Sequence, residues 1–470
     1  MRNYKIAWRN LWRNKRRTLI TVASVFFAIF FALVMRSLQL GTYDHMFRNA
    51  IESYTGYIQI QHEDFWDTKV VDNTFIYSPE LDQKIMSLKN SVGTVPRFES
   101  FALASTGTLT KGVLVMGIDP EREALLSDVR SRLVRYRLDK VSVESLRNSV
   151  LPEKIKKDLD LFSGNAYSSN SALAVDFNIE DRDSSLILPV FRQFASFSNG
   201  YLKQGEPAAV IGEKLASFLK AGIGDTIVLL GQGYHGTTAA GKYRINGIVK
   251  IPAPDLDNKI VYLPYDICQE LYNAPGMLTS LAISVKDNDD NSIEKTIEEL
   301  EKQLEPPLKV MGWREMNKLM LNQMDADSKS GMIMIFILYL VIAFGIFGTV
   351  LMMTAERRRE FGVLVAIGMQ KRKLSVVVTM EMILIGLMGI VSGVIAALPI
   401  IFYGYSHPIR FHGEMAKMYE DYGMEAVMPF LLPDMYVLWQ SLVVAIIVFV
   451  SLIYPLRKIG KMQVVNSLKA

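Results

Sequence analysis

Two overlapping glycine patterns are the runs most suggestive of chemistry in this 470-residue chain. Gly231-Gln-Gly233-Tyr-His-Gly236 has the G-x-G-x-x-G spacing of a dinucleotide loop and follows a strand-like run. That chemistry needs a helix whose N-terminus faces the pyrophosphate. Gly236-Thr-Thr-Ala-Ala-Gly241-Lys242 has the G-x-x-x-x-G-K spacing of a phosphate loop, but Tyr243 stands where a Ser or Thr would hold magnesium. Both patterns run on into another strand-like segment, Lys242 to Val249, so they read as the glycine-rich tip of a β-hairpin. The five histidines, His45, His62, His235, His407 and His412, form no compact ligand set, and the single cysteine, Cys268, excludes a disulfide framework. No nucleophile elbow, H-E-x-x-H or EF-hand pattern occurs. The chain is expected to bind no metal or cofactor and to hydrolyse no nucleotide itself.

Two other features carry a physical expectation. Glu381 is the one charge in the segment Leu374 to Tyr403. An ionised carboxylate there is costly and faces protein rather than lipid. It is either close enough to the interface to reach water or an arginine of the preceding loop, or it is a polar tie between spans that move against one another. The second feature is Glu356 to Lys373, opened by Arg357, Arg358 and Arg359 and closed by Lys371, Arg372 and Lys373. Its middle places Phe361, Leu364, Val365 and Gly368 at three- and four-residue spacing. That spacing gives one apolar stripe on a short helix, either resting at the membrane surface or offered to a partner.

The elements that position these residues follow from hydropathy and charge. Residues 1–17 are basic, with Trp8 and Trp12 at helical spacing, and read as an interfacial helix in which Trp8, Leu11 and Trp12 lie at the headgroups. Thr18 to Met35 carries no charge and is too long for a cleaved leader, so 18–41 is read as an uncleaved transmembrane helix that projects as a stalk. Further spans are expected at 331–354, 374–403 and 436–456, with 355–373 and the tail 457–470 on the side of the termini and 404–435 on the other. Seventeen of the 52 Lys and Arg fall in 1–17, 356–373 and 456–470, which hold only two acids, Glu356 and Glu360. Basic charge beside the spans and acidic charge away from them is positive-inside topology, which argues against nucleic-acid binding. Gly386, Gly389 and Gly393, with Gly345 and Gly348 in the preceding span, read as small faces for packing against another span or a second copy.

Residues 42–330 read as a mixed α/β domain. A unit of strand 56–61, helix 80–89 and strands 94–117 resembles a later one of strand 259–263, helix 265–272, strand 280–285, helix 292–304 and strand 308–311. Portions 42–118 and 259–330 are therefore read as one subdomain with stalks, interrupted by an insert at 119–258 that includes a Ser/Asn-rich loop, 163–171.

Topology and motifs together resemble the MacB/FtsX-like permease family, the type VII or mechanotransmission class of ABC transporters. The resemblance rests on the basic N-terminus with its two tryptophans, the one-plus-three arrangement of spans, Glu356-Arg357-Arg358-Arg359-Glu360-Phe361 through Leu364 and Ala366-Ile367-Gly368, Glu381 with glycines after it, and the ending Val464 to Lys469. Gly112 to Pro120 and Ile211 to Asp225 look like the lipoprotein-releasing LolC/LolE branch.

The resemblance implies a fold of four transmembrane helices with a large α/β extracytoplasmic domain, porter-like plus a Sabre-like insert, between helices 1 and 2. It implies a multi-pass subunit of the bacterial inner membrane, both termini cytoplasmic, that is not an enzyme. ATP and magnesium would sit on a separate cytoplasmic ATPase dimer, engaged through Glu356, Arg357, Glu360, Phe361, Leu364, Ala366, Ile367 and Gly368. Other implied partners are a second permease copy or paralogue, membrane lipids, a lipoprotein substrate and a periplasmic carrier. Two alternatives are an FtsX-like regulator of a cell-wall hydrolase, for which the large domain is oversized, and a membrane-anchored enzyme or sensor, which no catalytic constellation supports.

Overall fold

The apolar segments form helices longer than a bilayer is thick. In a computed structural model that describes residues 2–13, 15–421 and 423–461, the first of two compact units, residues 1–45, 320–409 and 427–470, is built from seven helices, of which α2 and α3 extend a few residues past its bounds. They are α1 (Arg2–Arg13), α2 (Lys15–Ala50), α3 (Lys318–Glu356), α4 (Arg358–Ala366), α5 (Lys371–Ser406), α6 (Met435–Ser451) and α7 (Ile453–Gly460). The ending 464–469 lies outside the described residues. Among the described residues, four helical stretches are long and apolar enough to cross a membrane. At 1.5 Å per residue, α2 and α3 are each over about 50 Å long against a hydrocarbon core of about 30 Å, so each projects well beyond it. The last stretch is broken between α6 and α7. Pro455 lacks an N–H and its ring would press on the carbonyl of Ser451, which ends α6 there.

Helices α2, α3, α5 and α6 share one core, in which Val25, Ala28, Ile29, Ala32 and Leu33 of α2 meet Ile346 and Val350 of α3, Met382, Ile385 and Ala397 of α5, and Val444 of α6. The opposite face of α2 turns Phe27 and Phe31 outward. Apolar residues outside as well as inside mean that close fit, not a hydrophobic difference, holds the bundle together. The glycines of α5 supply that fit. A Cβ on Gly389 would lie 2.5 Å from the Val25 Cβ, one on Gly393 2.9 Å from the Phe26 carbonyl, and one on Gly386 3.0 Å from a methyl of Val448. All three therefore pack against spans of this same chain. At Gly345 and Gly348 of α3 a Cβ would meet nothing within 4 Å.

The second unit comprises residues 46–319 and 410–426. Its sheet has nine strands: β1 (Ile58–His62), β2 (Ser91–Ser105), β3 (Thr110–Ile118), β4 (Ala208–Gly212), β5 (Thr226–Gln232), β6 (Thr238–Val249), β7 (Ile260–Pro264), β8 (Ser280–Val285) and β9 (Leu308–Gly312), in the order β9-β1-β8-β2-β3-β7-β4-β6-β5. Helix Pro79–Met86 joins β1 to β2 and helix Asp290–Glu301 joins β8 to β9, which gives a split β-α-β pair around a core of Ile58, Ile60, Leu81, Ile85, Leu281, Ile283 and Ile293.

The 15-residue strand β2 serves two sheets. Its first half pairs with β8, while Ala102 to Ser105 pair with β5 on that same edge. With β3 on the other edge, β2-β3-β7-β4-β6-β5 closes into a ring. Its interior takes alternate residues, Ala102 and Ala104, Val113 and Val115, Ala209 and Ile211, Ile227 and Leu229, Val261 and Leu263.

This closure changes the expected division at 119 and 258. Strands β4, β5 and β6 lie inside the expected insert, yet their backbones pair with β7 and β2 and their side chains fill the same interior. Only the portion from Tyr136 to Ala195 builds a separate core, around Leu146, Phe162, Phe177 and Phe191. Both phosphate-loop look-alikes lie in the β5–β6 hairpin, whose short helical turn, Tyr234–Gly236, leads straight into β6. The 404–435 connection is also more than a loop, because its 410–426 portion packs within the second unit. Arg410 pairs with Asp176 at 3.1 Å, Lys214 pairs with Glu420, and Asn49 donates to Glu425 at 3.0 Å.

Beyond Ala50 the α2 chain continues as a π-helical turn, Ile51–Thr55, fixed to β2 by a buried ionic cluster. Arg97 is fully buried, donates through Nε to Glu123 at 3.2 Å, and donates through Nη1 to the Tyr54 carbonyl. The Tyr54 hydroxyl donates to Glu99 at 2.7 Å. Burial and that carboxylate hold the phenol well above its ordinary range, so it remains a donor. Burial likewise lowers Lys69, against the pull of Glu99 at 3.6 Å.

The glycine contacts yield a direct test. Gly389→Leu is expected to lower the thermal midpoint of the detergent-purified protein, at a cost of about 1–3 kcal/mol for overpacking. Gly345→Leu, with open space around it, is expected to leave the midpoint unchanged. Equal effects of the two would show that α2 and α5 do not depend on the small face.

Candidate functional site

The residues singled out around 356–381 converge where α1, α4 and α5 meet. Helix α3 ends at Glu356, which is exposed, and Arg357 forms the corner, with its N–H on the Met353 carbonyl at 3.3 Å and its own carbonyl accepting from Phe361 at 2.9 Å. The nine residues of α4 then run to Ala366. Gly368 has φ +102°, a conformation that favours glycine, and closes α4 with two bonds, its own N–H to Val365 at 3.1 Å and the Met369 N–H to Leu364 at 3.0 Å. Two residues later α5 begins.

Arg357 and Glu381 form the centre of the site. Glu381 is 1% exposed, two to three turns into α5. It accepts from both terminal nitrogens of Arg357, one of them at 3.3 Å, and from Asn10 Nδ2 of α1 at 2.6 Å. The third nitrogen of Arg357, Nε, lies 3.4 Å from Glu360, which also pairs with Arg13 of α1. The guanidinium sits 5.1 Å from the centre of the Phe361 ring. One arginine thus joins the corner of α3 and α4 to α5, and two residues of α1 complete the set. Such a bidentate pair in a low-dielectric interior is strong only while it is complete, because removing one partner strands a buried charge.

The apolar stripe of α4 is divided between two faces. Phe361 is 3% exposed and packs with Leu374 and Val378 of α5 and Ile459 of α7, with Val365 and Met369 against the same cluster. The expectation that Phe361 and Val365 face outward is corrected: α5 and α7 present apolar side chains nearer than any partner. Leu364 does face out, and Val363, Ala366, Ile367 and Gly368 are exposed beside it, Ile367 at 79%. Leu11 is corrected in the same sense. It is 4% exposed, buried in the bundle core rather than at the headgroups, while Trp8 and Trp12 are outside.

Asn10 and Arg13 were not singled out in the sequence as site residues. The signal available was Asn10 between Ala7 and Leu11, an amide on the face opposite the two tryptophans. A polar group on the buried face of a helix needs a partner inside.

Residues 18–303 match a family model described as the MacB-like periplasmic core domain, more than half of the chain, and residues 332–464 match one described as the FtsX-like permease C-terminal region. An uncharacterized ABC transporter permease of Methanocaldococcus jannaschii is 25% identical over 242 residues, 48% of this chain and 55% of that one. The lipoprotein-releasing system transmembrane protein LolC of Xylella fastidiosa is 24% identical over 204 residues, 41% of this chain and 48% of its own. The chain thus spans about half the length of these curated relatives. Among solved structures, the periplasmic region of MacB from Actinobacillus actinomycetemcomitans aligns over 58% of this chain and 96% of its own at 13% identity, with a TM-score of 0.31. The extracellular domain of YknZ from Gram-positive bacteria aligns over 55% and 100% at 12% identity, with a TM-score of 0.28.

The ionic centre predicts a non-additive mutational cycle. Arg357→Gln or Glu381→Gln alone is expected to destabilise the protein by about 3–5 kcal/mol, since each leaves an uncompensated buried charge. The double substitution should cost less than the sum by roughly 0.5–3 kcal/mol in thermal unfolding. Strict additivity would mean that the two side chains do not act as a pair.

Proposed function

This chain belongs to the MacB/FtsX-like family of ABC transporter permeases, and on that premise we propose that it passes the work of a separate cytoplasmic ATPase to its large α/β unit. The observation that carries this reading is the Arg357–Glu381 pair. It ties α4, whose outer face presents Val363, Leu364 and Ile367, to α5 on one side and, through Asn10, to α1 on the other. A push on the outer face of α4 would reach three helices without first deforming a loop. The basic clusters beside the spans support a cytoplasmic location for α4 and both termini. ATP and magnesium would belong to the partner, and the permease would work as one of two copies or paralogues.

For the substrate, a lipoprotein anchored in the outer leaflet of the inner membrane is the first choice, handed on to a periplasmic carrier. The similarity to proteins named as parts of a lipoprotein-releasing system supports this over regulation of a cell-wall hydrolase.

Two variants separate docking from transmission. Ile367→Glu adds a charge to the exposed face of α4 and is expected to reduce the ATPase copurified with the membrane-extracted chain at least about tenfold, equivalent to ~1.4 kcal/mol. Glu381→Gln should keep the ATPase bound while lipoprotein release from spheroplasts is lost. Undiminished copurification in the first variant, or full release in the second, would overturn the proposal.

A further inference from the structure

A groove of about 730 Å³ opens between α3 and α6, within the size range of sites for small amphiphilic ligands. Its walls are hydrocarbon, chiefly Met332 and Phe336 of α3 with Leu438 and Leu442 of α6. The polar pair in the wall, Tyr339 and Gln440, is joined by the Tyr339 hydroxyl donating to the Gln440 side-chain oxygen. One cation lines this groove, Arg36 of α2.

Arg36 directly follows the uncharged run Thr18 to Met35, and the groove also carries Tyr436 and Trp439, residues of the aromatic belt. Its side chain donates through Nη1 to Gln39 at 2.8 Å. Gln39 in turn donates to the Tyr43 hydroxyl at 3.1 Å, and that hydroxyl is bonded to Asp327. The nearby carboxylate is therefore engaged by Tyr43, and Arg36 connects to it only through two uncharged side chains. Among the described residues Arg36 has no acid at ion-pair distance. A half-buried guanidinium at the edge of the hydrocarbon calls for an anion, and an apolar groove beside it calls for an acyl chain.

We propose that the α3–α6 groove binds an anionic phospholipid, with the phosphate on Arg36 and one acyl chain laid between Phe336 and Leu442. Both requirements are met by one molecule that the membrane itself supplies. The acyl chain would fill the groove beside the Tyr339–Gln440 bond that already joins the two spans.

The test uses the full chain in detergent, with lipid retention read by native mass spectrometry. Dioleoyl phosphatidylglycerol is expected to bind about fivefold better than dioleoyl phosphatidylcholine, the size of one basic side chain acting on an anionic lipid. Arg36→Gln should bring the two lipids level. Leu438→Trp, at an exposed position in the groove wall, should reduce retention of both while leaving the thermal midpoint of the lipid-free protein in place. Equal binding of the two lipids by the unaltered protein, or an undiminished preference in Arg36→Gln, would refute the site. Displacement of phosphatidylglycerol by glycerol phosphate alone would reduce it to an anion contact. Displacement by a triacylated lipopeptide at a tenfold lower concentration would assign the groove to a lipoprotein instead.

Discussion

A carboxylate inside a membrane helix must be answered by a cation or remain a liability, and much of the first unit follows from how Glu381 is answered. The cost of an ionised group at that depth makes an unpaired Glu381 untenable. The partner comes from the corner between α3 and α4, so the corner is drawn against α5. Asn10 adds a neutral donor from α1, which seats the N-terminal helix beside the same point. Three chain segments, distant in sequence, are therefore held together by one requirement of charge. Glycines Gly389 and Gly393 then let α2 approach the same helix along its length. Ionic and steric constraints on α5 act together, which makes it the helix that the bundle is built around.

The second unit has an analogous point in β2. A single strand that pairs with β8 at its start and β5 at its end belongs to the open α/β sheet and to the closed ring at once. These two parts cannot rotate freely about one another, because the strand between them is continuous and paired on its other edge with β3. The buried Arg97 sits on this strand where its pairing passes from β8 to β3, and holds the turn that continues α2. The turn Ile51–Thr55 is thus attached to the strand that both parts share.

Much of this was legible in the sequence because hydropathy, charge and strand periodicity are local signals. The four spans, the stalk-like excess of α2, the strands of both α/β repeats and the hairpin nature of Gly231 to Lys242 all depend on neighbours within about twenty residues. What was not legible depends on pairing at long range. The insert looked separate because β4, β5 and β6 show the same alternation whether they pair with each other or with β2 and β7. The stripe of α4 showed that Phe361 is apolar, but not that Ile459, nearly a hundred residues later, would cover it. Asn10 and Arg13 were hidden by their surroundings, since a basic segment beside a span already has a sufficient explanation in lipid.

Whether α4 is a hinge or a lever depends on Gly368. A glycine at a helix end is easily taken for a point of flexibility, yet here it accepts a positive φ so that two hydrogen bonds can close the end of α4. The residues on either side of it, Val365 and Met369, lie against one cluster that also contains Leu374 and Val378 of α5. For α4 to swing about Gly368, Phe361 would have to leave that cluster and Arg357 would have to leave Glu381. Both movements are opposed, the first by loss of buried apolar contact and the second by exposure of an unpaired charge to a low dielectric. The corner is consequently stiff, and its glycine sets the angle of α4 rather than freeing it.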